Sequence, residues 1–282
     1  MRFVQIGNPH KCNEASFRRG CKLFNIEYEK VADASSIDGM PDLIWAPLKW
    51  IDPAKFSCKI MFGPHFFVFP SQLPPASNNC IYDCLSDWNK RVHEEFLPNP
   101  TVPYACIPFG VELPPLSLKL RTKVLVYYKH RVPEDLEFVR ALLTRRGIPH
   151  TLIWYGHYES EKYAELLDES MYMVVIDAHE SQGFALCEAM ARNVPLLVYD
   201  ASSMKQEYAN GFPYAGRSEK LLATSVPYWD ARCGEKTQDP RELDAAMTRL
   251  YTNLDTYRPR EFIEATLSDK VCFQKILDFL VK

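Results

Sequence analysis

The chain has 282 residues, 47% hydrophobic and 24% charged, enough to bury the cores of two small domains and too apolar for a disordered tail. A formal net charge of -3 argues against nucleic acid as the main partner, because phosphate-backbone binders are basic, but it allows a local basic pocket around one phosphate group. The nine cysteines contain no CxxC pair, which leaves no spacing for a structural zinc and suits free thiols in a reducing compartment.

In chain order, Phe3 to Ile6 is a short strand closed by Gly7. Its apolar run is far shorter than the hydrophobic region of a secretory leader. No apolar stretch approaches the length of a membrane span, so a soluble, cytoplasmic protein is expected. Glu14 to Phe24 has helical spacing, with Phe17, Cys21 and Phe24 on one side. Asp42 to Ala46 and Lys59 to Phe62 read as buried strands, the second running into Gly63-Pro64-His65. Cys80 to Tyr82 is a further strand, and Ser86 is the N-cap of a helix reaching about Phe96. Between Leu97 and Pro115, prolines 98, 100, 103, 108, 114 and 115 interrupt any periodicity and predict a linker, with the domain boundary near Gly110.

The second half repeats the alternation. Strands are expected over Lys123 to Tyr128, His150 to Tyr155, Met171 to Ile176 and Pro195 to Tyr199. Helices are expected over Glu134 to Arg146, Glu159 to Leu167 and Gly183 to Arg192, then over Asp239 to Leu254 and Ser268 to Val281. Alternating strands and helices predict parallel sheets covered on their faces. The fold class is therefore α/β, with two Rossmann-like domains facing a cleft. The expected division is residues 1–108, residues 109–265, and a C-terminal helix in residues 266–282 that crosses back to the first domain.

Ligands of an open parallel sheet bind beyond the carboxyl ends of its strands. Two strand-ends in the second half carry chemistry: Lys129-His130-Arg131, and Asp177 to Gly183, which leads into the helix Phe184 to Ala191. Glu188 is out of place in that apolar helix, and an ionised carboxylate there needs hydrogen-bond donors. Side chains lean toward a helix N-terminus, which aims Glu188 at the strand ends, where a ribose diol would supply two donors. Glu180, on the preceding loop, is placed to accept from sugar hydroxyls. Backbone N–H groups of Gly183, Phe184 and Ala185 suit a phosphate. Lys129 and Arg131 would neutralise a diphosphate. Each feature alone has an ordinary explanation, as a solvated helix face or a surface turn; their joint placement on one sheet carries the reading.

The run Glu180-Ser-Gln-Gly-Phe-Ala-Leu-Cys-Glu188-Ala-Met-Ala191, followed by Asn193-Val-Pro195, resembles the E-x7-E signature of GT-B glycosyltransferases, and most closely the retaining family 4. Weaker similarity covers most of the chain. Ile107 to Glu112 resembles the segment between the family's domains, Ser86 the serine opening the last helix of the acceptor domain, and His65 a strand-end histidine facing the donor. The chain departs from the family in its short first domain, in the close spacing of Lys129 and Arg131, and in Asp177-Ala178-His179 where Pro-Ser is usual.

The resemblance implies a metal-independent transferase, without a cofactor, that moves a hexosyl or pentosyl group from a UDP- or GDP-sugar to a glycan or other hydroxyl acceptor with retention, as in glycan biosynthesis. Glu180, Lys129, Arg131 and His65 would be catalytic, and Glu188, Gly183, Phe184 and Ala185 would hold the donor. The expected partners are the nucleotide-sugar and the acceptor, with no nucleic acid and no transmembrane segment. Three alternatives stay open. One is an inverting GT-B transferase with His65 or Asp83 as general base; the others are a non-catalytic sugar- or protein-binding module of the same fold and a sugar-nucleotide epimerase. A dehydrogenase is disfavoured because no G-x-G-x-x-G follows a strand.

Overall fold

A computed structural model describes residues 1–65, 72–208 and 221–281. Their contacts divide the chain into two units, Met1–Glu112 with Thr266–Lys282, and Leu113–Ala265.

The first unit runs β1 (Arg2–Ile6), α1 (Lys11–Leu23), β2 (Glu27–Val31), β3 (Leu43–Ala46), β4 (Lys59–Phe62), β5 (Cys80–Cys84), α2 (Asp87–Phe96) and β6 (Tyr104–Cys106). The second runs β7 (Lys123–Lys129), α3 (Pro133–Arg145), β8 (His150–Trp154), α4 (Ser160–Asp168), β9 (Ser170–Asp177), α5 (Phe184–Ala191), β10 (Leu196–Tyr199), β11 (Gly234–Thr237), α6 (Leu243–Thr252) and α7 (Pro259–Leu267). A last helix, α8 (Asp269–Leu280), belongs to the first unit.

In the first unit the six strands lie in the order β2-β1-β3-β4-β5-β6, all parallel. β3 is buried along its whole length, as a central parallel strand covered on both faces must be. Phe17 of α1 packs on Trp45 of β3 with ring centroids 4.6 Å apart, and Phe273 of α8 stacks on Phe3 and Phe24. Gly20 makes this contact possible: a Cβ there would overlap the Phe273 ring. Arg19 fastens α8 by bonding both oxygens of Asp269, at 2.7 and 3.0 Å, and the carbonyl of Gly110.

In the second unit the order is β11-β10-β9-β7-β8, again all parallel. Val124, Val126, Val174, Ile176 and Leu197 present one face to Leu136, Val139 and Leu143 of α3 and to Leu243, Met247 and Leu250 of α6. On α4, Tyr163 donates its hydroxyl to the Ala185 carbonyl at 2.6 Å and reaches Met173 Sδ at 3.5 Å, linking α5 to β9.

Three strands were not expected from hydropathy: β2, β6 and β11. All three are sheet edges. β2 reads EYEKV and β11 reads GEKT, without an apolar run, because an edge strand has less surface to bury and charged side chains protect it from further pairing. β6 is a three-residue strand inside the proline-rich stretch that reads as a linker; Pro at a strand's flank is compatible with an edge. The helix expected from Asp239 begins later, at Leu243, after the 3-10 turn Pro240–Glu242, and α7 is a further helix the periodicity did not reveal.

Candidate functional site

The chain leaves β7 for β8 on one side and reaches β9 on the other, so the order of the five-stranded sheet reverses between β7 and β9. A crevice at the carboxyl ends of strands belongs at such a reversal. Lys129 ends β7, Asp177 ends β9, and the two are register partners. The loop after β9 then carries Glu180 to the same place: Lys129 Nζ stands 2.7 Å from Glu180 Oε1 and 3.9 Å from Asp177 Oδ2. The Tyr155 ring, 4.5 Å from Lys129 Nζ, closes another side of the ammonium.

Burial opposes the charge on Lys129, but Glu180 and Asp177 outweigh it and hold the ammonium above the ordinary lysine range. Burial also pushes the Asp177 carboxyl well above the usual carboxylate range, against the pull of Lys129 and with the further push of the Glu180 charge.

The loop between β9 and α5 is braced through its backbone. Ala178 N–H donates to the Lys129 carbonyl at 3.2 Å, and Glu180 N–H donates to the Thr224 carbonyl at 3.1 Å. Asp200, at the end of β10, in turn accepts from Ser225 N–H at 2.7 Å and from the Thr224 hydroxyl at 3.0 Å. Ser225 Oγ donates to the Asp177 carbonyl at 2.7 Å. Sequence reasoning did not single out Asp200, Thr224 or Ser225; their signal is a strand-end acid and a pair of hydroxyl residues, too common to stand out.

Gly183 turns the loop into α5 with φ +79°, in the left-handed region that favours glycine. Gly183 has no side chain to cap this end, and the first turn, at Phe184 and Ala185, holds no acid to offset the positive end of the helix. At the other end, Arg260 donates to the Ala191 carbonyl and Arg121 to the carbonyls of Arg192 and Asn193, at 2.6 to 2.7 Å. These arginines anchor α5 at its negative end.

Glu188 is half-buried on α5, on the side of Tyr158 and Tyr163. Burial first, then the Glu188 charge, raise both phenols, Tyr158 to about 12. Glu188 and Glu180 both act on Tyr158, which places the two acids around one tyrosine.

Arg131 corrects the expectation of a phosphate clamp. Its side chain is fully enclosed, with Nε 2.8 Å from Asp135, Nη1 donating to the carbonyls of Asp177 and Tyr199, and its plane 4.6 Å from the Tyr199 ring. A guanidinium is suited to such a buried, bonded position by its planar fork of donors. Arg131 braces the ends of β9 and β10 instead of presenting charge to a ligand.

His65 lies in the first unit, just beyond β4. Its Nδ1 is 2.7 Å from the Tyr82 hydroxyl, the Trp50 ring lies 4.7 Å away, and burial lowers its pKa to about 4. It is neutral at pH 7. Asp83, the alternative general base, is fully enclosed and accepts from Ile107 N–H at 3.0 Å. Burial pushes its carboxyl well above the ordinary range. That enclosure leaves no oxygen for an acceptor substrate.

Among the described residues, no group of three or more His, Cys, Asp or Glu side chains is arranged to hold a metal ion, and no helix is long and apolar enough to cross a membrane.

No protein-family model matches the sequence, and no curated protein matches it. Solved structures do. AviGT4, a glycosyltransferase involved in avilamycin A biosynthesis, is 13% identical, with 100% of this chain and 97% of that chain covered and a TM-score of 0.61. The lipopolysaccharide outer core galactosyltransferase WaaB is 11% identical over 100% of this chain and 99% of its own, with a TM-score of 0.59. TarM is 12% identical with a TM-score of 0.53; 85% of this chain matches, spanning 55% of the TarM chain. At these identities the likeness shows the fold: two parallel-sheet α/β units, the architecture of GT-B glycosyltransferases.

Proposed function

We propose that the chain is a glycosyltransferase that takes a hexosyl or pentosyl group from a UDP- or GDP-sugar and gives it to a hydroxyl group of a glycan or similar acceptor, with retention of configuration and without a metal ion. The observation that carries this reading is the convergence of Lys129, Glu180 and the start of α5 where the strand order reverses, with Glu188 nearby on the same helix.

In this reading the bond from the anomeric carbon to the β-phosphate oxygen breaks, and a bond to the acceptor oxygen forms. The acceptor's proton leaves with the nucleoside diphosphate. Lys129 and the α5 N–H groups at Gly183 to Ala185 stabilise the charge that develops on the diphosphate, where catalysis of this kind gains most. Glu180 accepts from hydroxyls of the donor sugar, and Glu188 accepts from the ribose diol. Arg131 acts only by holding the strand ends. Two of the similar structures are sugar transferases, which favours this class over a binding module or an epimerase.

The test is thermal unfolding of wild type and Glu188→Ala with nucleoside diphosphates and their sugars, followed by product analysis. A ligand at a hundred times its Kd stabilises by about 2.7 kcal/mol. A shift with one nucleotide that Glu188→Ala loses, together with release of nucleoside diphosphate when an acceptor is present, is the expected result. Absence of any shift across the panel sinks the proposal.

A further inference from the structure

Two carboxyl groups and one ammonium meet at the ends of β7 and β9. Lys129 gives its short contact, 2.7 Å, to Glu180, and its distance to Asp177 Oδ2 is 3.9 Å. Lys129 and Glu180 are each 13% exposed and Asp177 is wholly enclosed. Asp177 Oδ1 accepts from the His179 backbone N–H at 3.3 Å, whereas Oδ2 has no hydrogen-bond partner among the described residues. An enclosed carboxylate with one bare oxygen is costly, and one ammonium offsets only one of two neighbouring carboxylates. A proton on Asp177 resolves both problems. It removes the surplus charge and turns the bare oxygen into a donor beside Glu180, whose Oε1 shares the Lys129 ammonium with it.

We propose that Asp177 is a positioning residue that keeps its proton at neutral pH and donates it from Oδ2, as a hydrogen bond, to Glu180. The burial and the Glu180 charge that raise its carboxyl act in the same direction. The consequence rests on the transferase reading. An arriving diphosphate draws the Lys129 ammonium toward itself, and Glu180 then loses its nearest partner. The Asp177 hydroxyl keeps Glu180 oriented, so its remaining lone pairs stay directed at the sugar. The ammonium passes from acid to phosphate, and the acid holds its place. No covalent bond changes, and the proton stays on Asp177.

The experiment is infrared difference spectroscopy of the purified full chain at pH 7, wild type against Asp177→Asn, alongside transfer kinetics of Asp177→Asn and Asp177→Ala. Wild type should show the carbonyl stretch of a protonated carboxylic acid that Asp177→Asn lacks; the second enclosed acid, Asp83, contributes equally to both and cancels. Loss of carboxylate bands instead of the acid band overturns the proposal. In Glu180→Gln the acid band should shift or vanish, and an unmoved band shows that the proton points elsewhere.

In kinetics, Asp177→Ala should lower kcat by about 10- to 100-fold, the worth of one hydrogen bond to a charged group, with binding of the nucleoside diphosphate alone within about twofold. Asp177→Asn, which keeps a neutral donor, should recover most of that loss. An Asn variant as slow as the Ala variant, or two variants as fast as wild type, overturns the positioning role. If Asp177→Ala does not fold, the infrared comparison with Asp177→Asn still decides. A wild type that moves no sugar sinks the transferase reading, while the infrared arm still reports on the proton.

Discussion

Lys129 and Glu180 form a 2.7 Å ion pair in which each side chain is only 13% exposed. Lys129 ends β7 and Glu180 lies on the loop after β9, and the pair holds that loop against the end of β7. Removing one partner of such a pair leaves the other enclosed and unpaired. Lys129→Met or Glu180→Gln should therefore cost up to about 3–5 kcal/mol of stability in the second unit, and the double variant should recover part of that sum. Chemical denaturation of the four proteins in a double-variant cycle reads the coupling directly; additive losses would show that the two groups do not depend on each other.

Arg131 and Lys129 should separate in their effects. Arg131→Met removes the bonds to Asp135, Asp177 and Tyr199 and should cost about 3–5 kcal/mol. Below the variant's lowered melting point, its Kd for the nucleoside diphosphate should change little. Lys129→Met should weaken that Kd by at least about tenfold, the loss of one charge-assisted contact. Calorimetric titration at low temperature distinguishes the two, and a large loss of affinity confined to Arg131→Met would restore it as a ligand-binding group.

Gly20→Ala tests how α1 meets α8. In an exposed helix the change stabilises by about 0.5–1 kcal/mol. Here the new methyl overlaps the buried Phe273 ring, and overpacking should make the variant about 1–3 kcal/mol less stable. Adding Phe273→Leu should relieve the overlap. Urea midpoints of the single and double variants give the answer, and a stabilised Gly20→Ala would contradict the packing.

Acid should weaken the first unit through its histidines. Burial lowers both His65 and His93 to about 4, below the ordinary value near 6.5. Between those values the unfolded chain binds more protons, so stability is fully present above about 6.5 and is lost as pH falls toward 4. Each imidazole contributes about 3 kcal/mol at most. Asp83, whose pKa burial raises, works in the opposite direction, so the signal is the difference between wild type and His93→Gln. The variant should lose less stability between pH 7 and pH 5; equal losses would show that His93 is protonated in the folded chain.

Chelation bears on the leaving-group chemistry. In the proposed reading Lys129 and the start of α5 stabilise the diphosphate, so turnover in excess EDTA should equal turnover in its absence. A fall restored by added divalent cation would transfer that role to a metal.

The layout of α5 and its loop was legible in the chain, because a strand, a loop with an acid, a glycine turn and a helix with a second acid are contiguous. Their spacing needs no distant information. The boundaries of β1, β3, β4, β7 and β9 were legible for a related reason: strands covered on both faces are continuous apolar runs. The edge strands β2, β6 and β11 were not, since an edge buries little and its sequence reads as ordinary surface. Basic residues two apart, Lys129 and Arg131, also looked equivalent.

Tertiary structure separated them. β7 ends with Lys129 facing the loop acid, and the turn through His130, with φ +53°, carries Arg131 under the ends of β9 and β10. The sequence by itself determined the alternation of strands and helices and the acids on α5 and the loop before it, because hydropathy period and turn chemistry act between neighbours in the chain. Only the tertiary structure decided which strand lies beside which, and with it the Lys129–Glu180 pair, the enclosed Asp177 and the buried Arg131. Sheet order and side-chain burial depend on contacts between distant segments, and no local pattern encodes them.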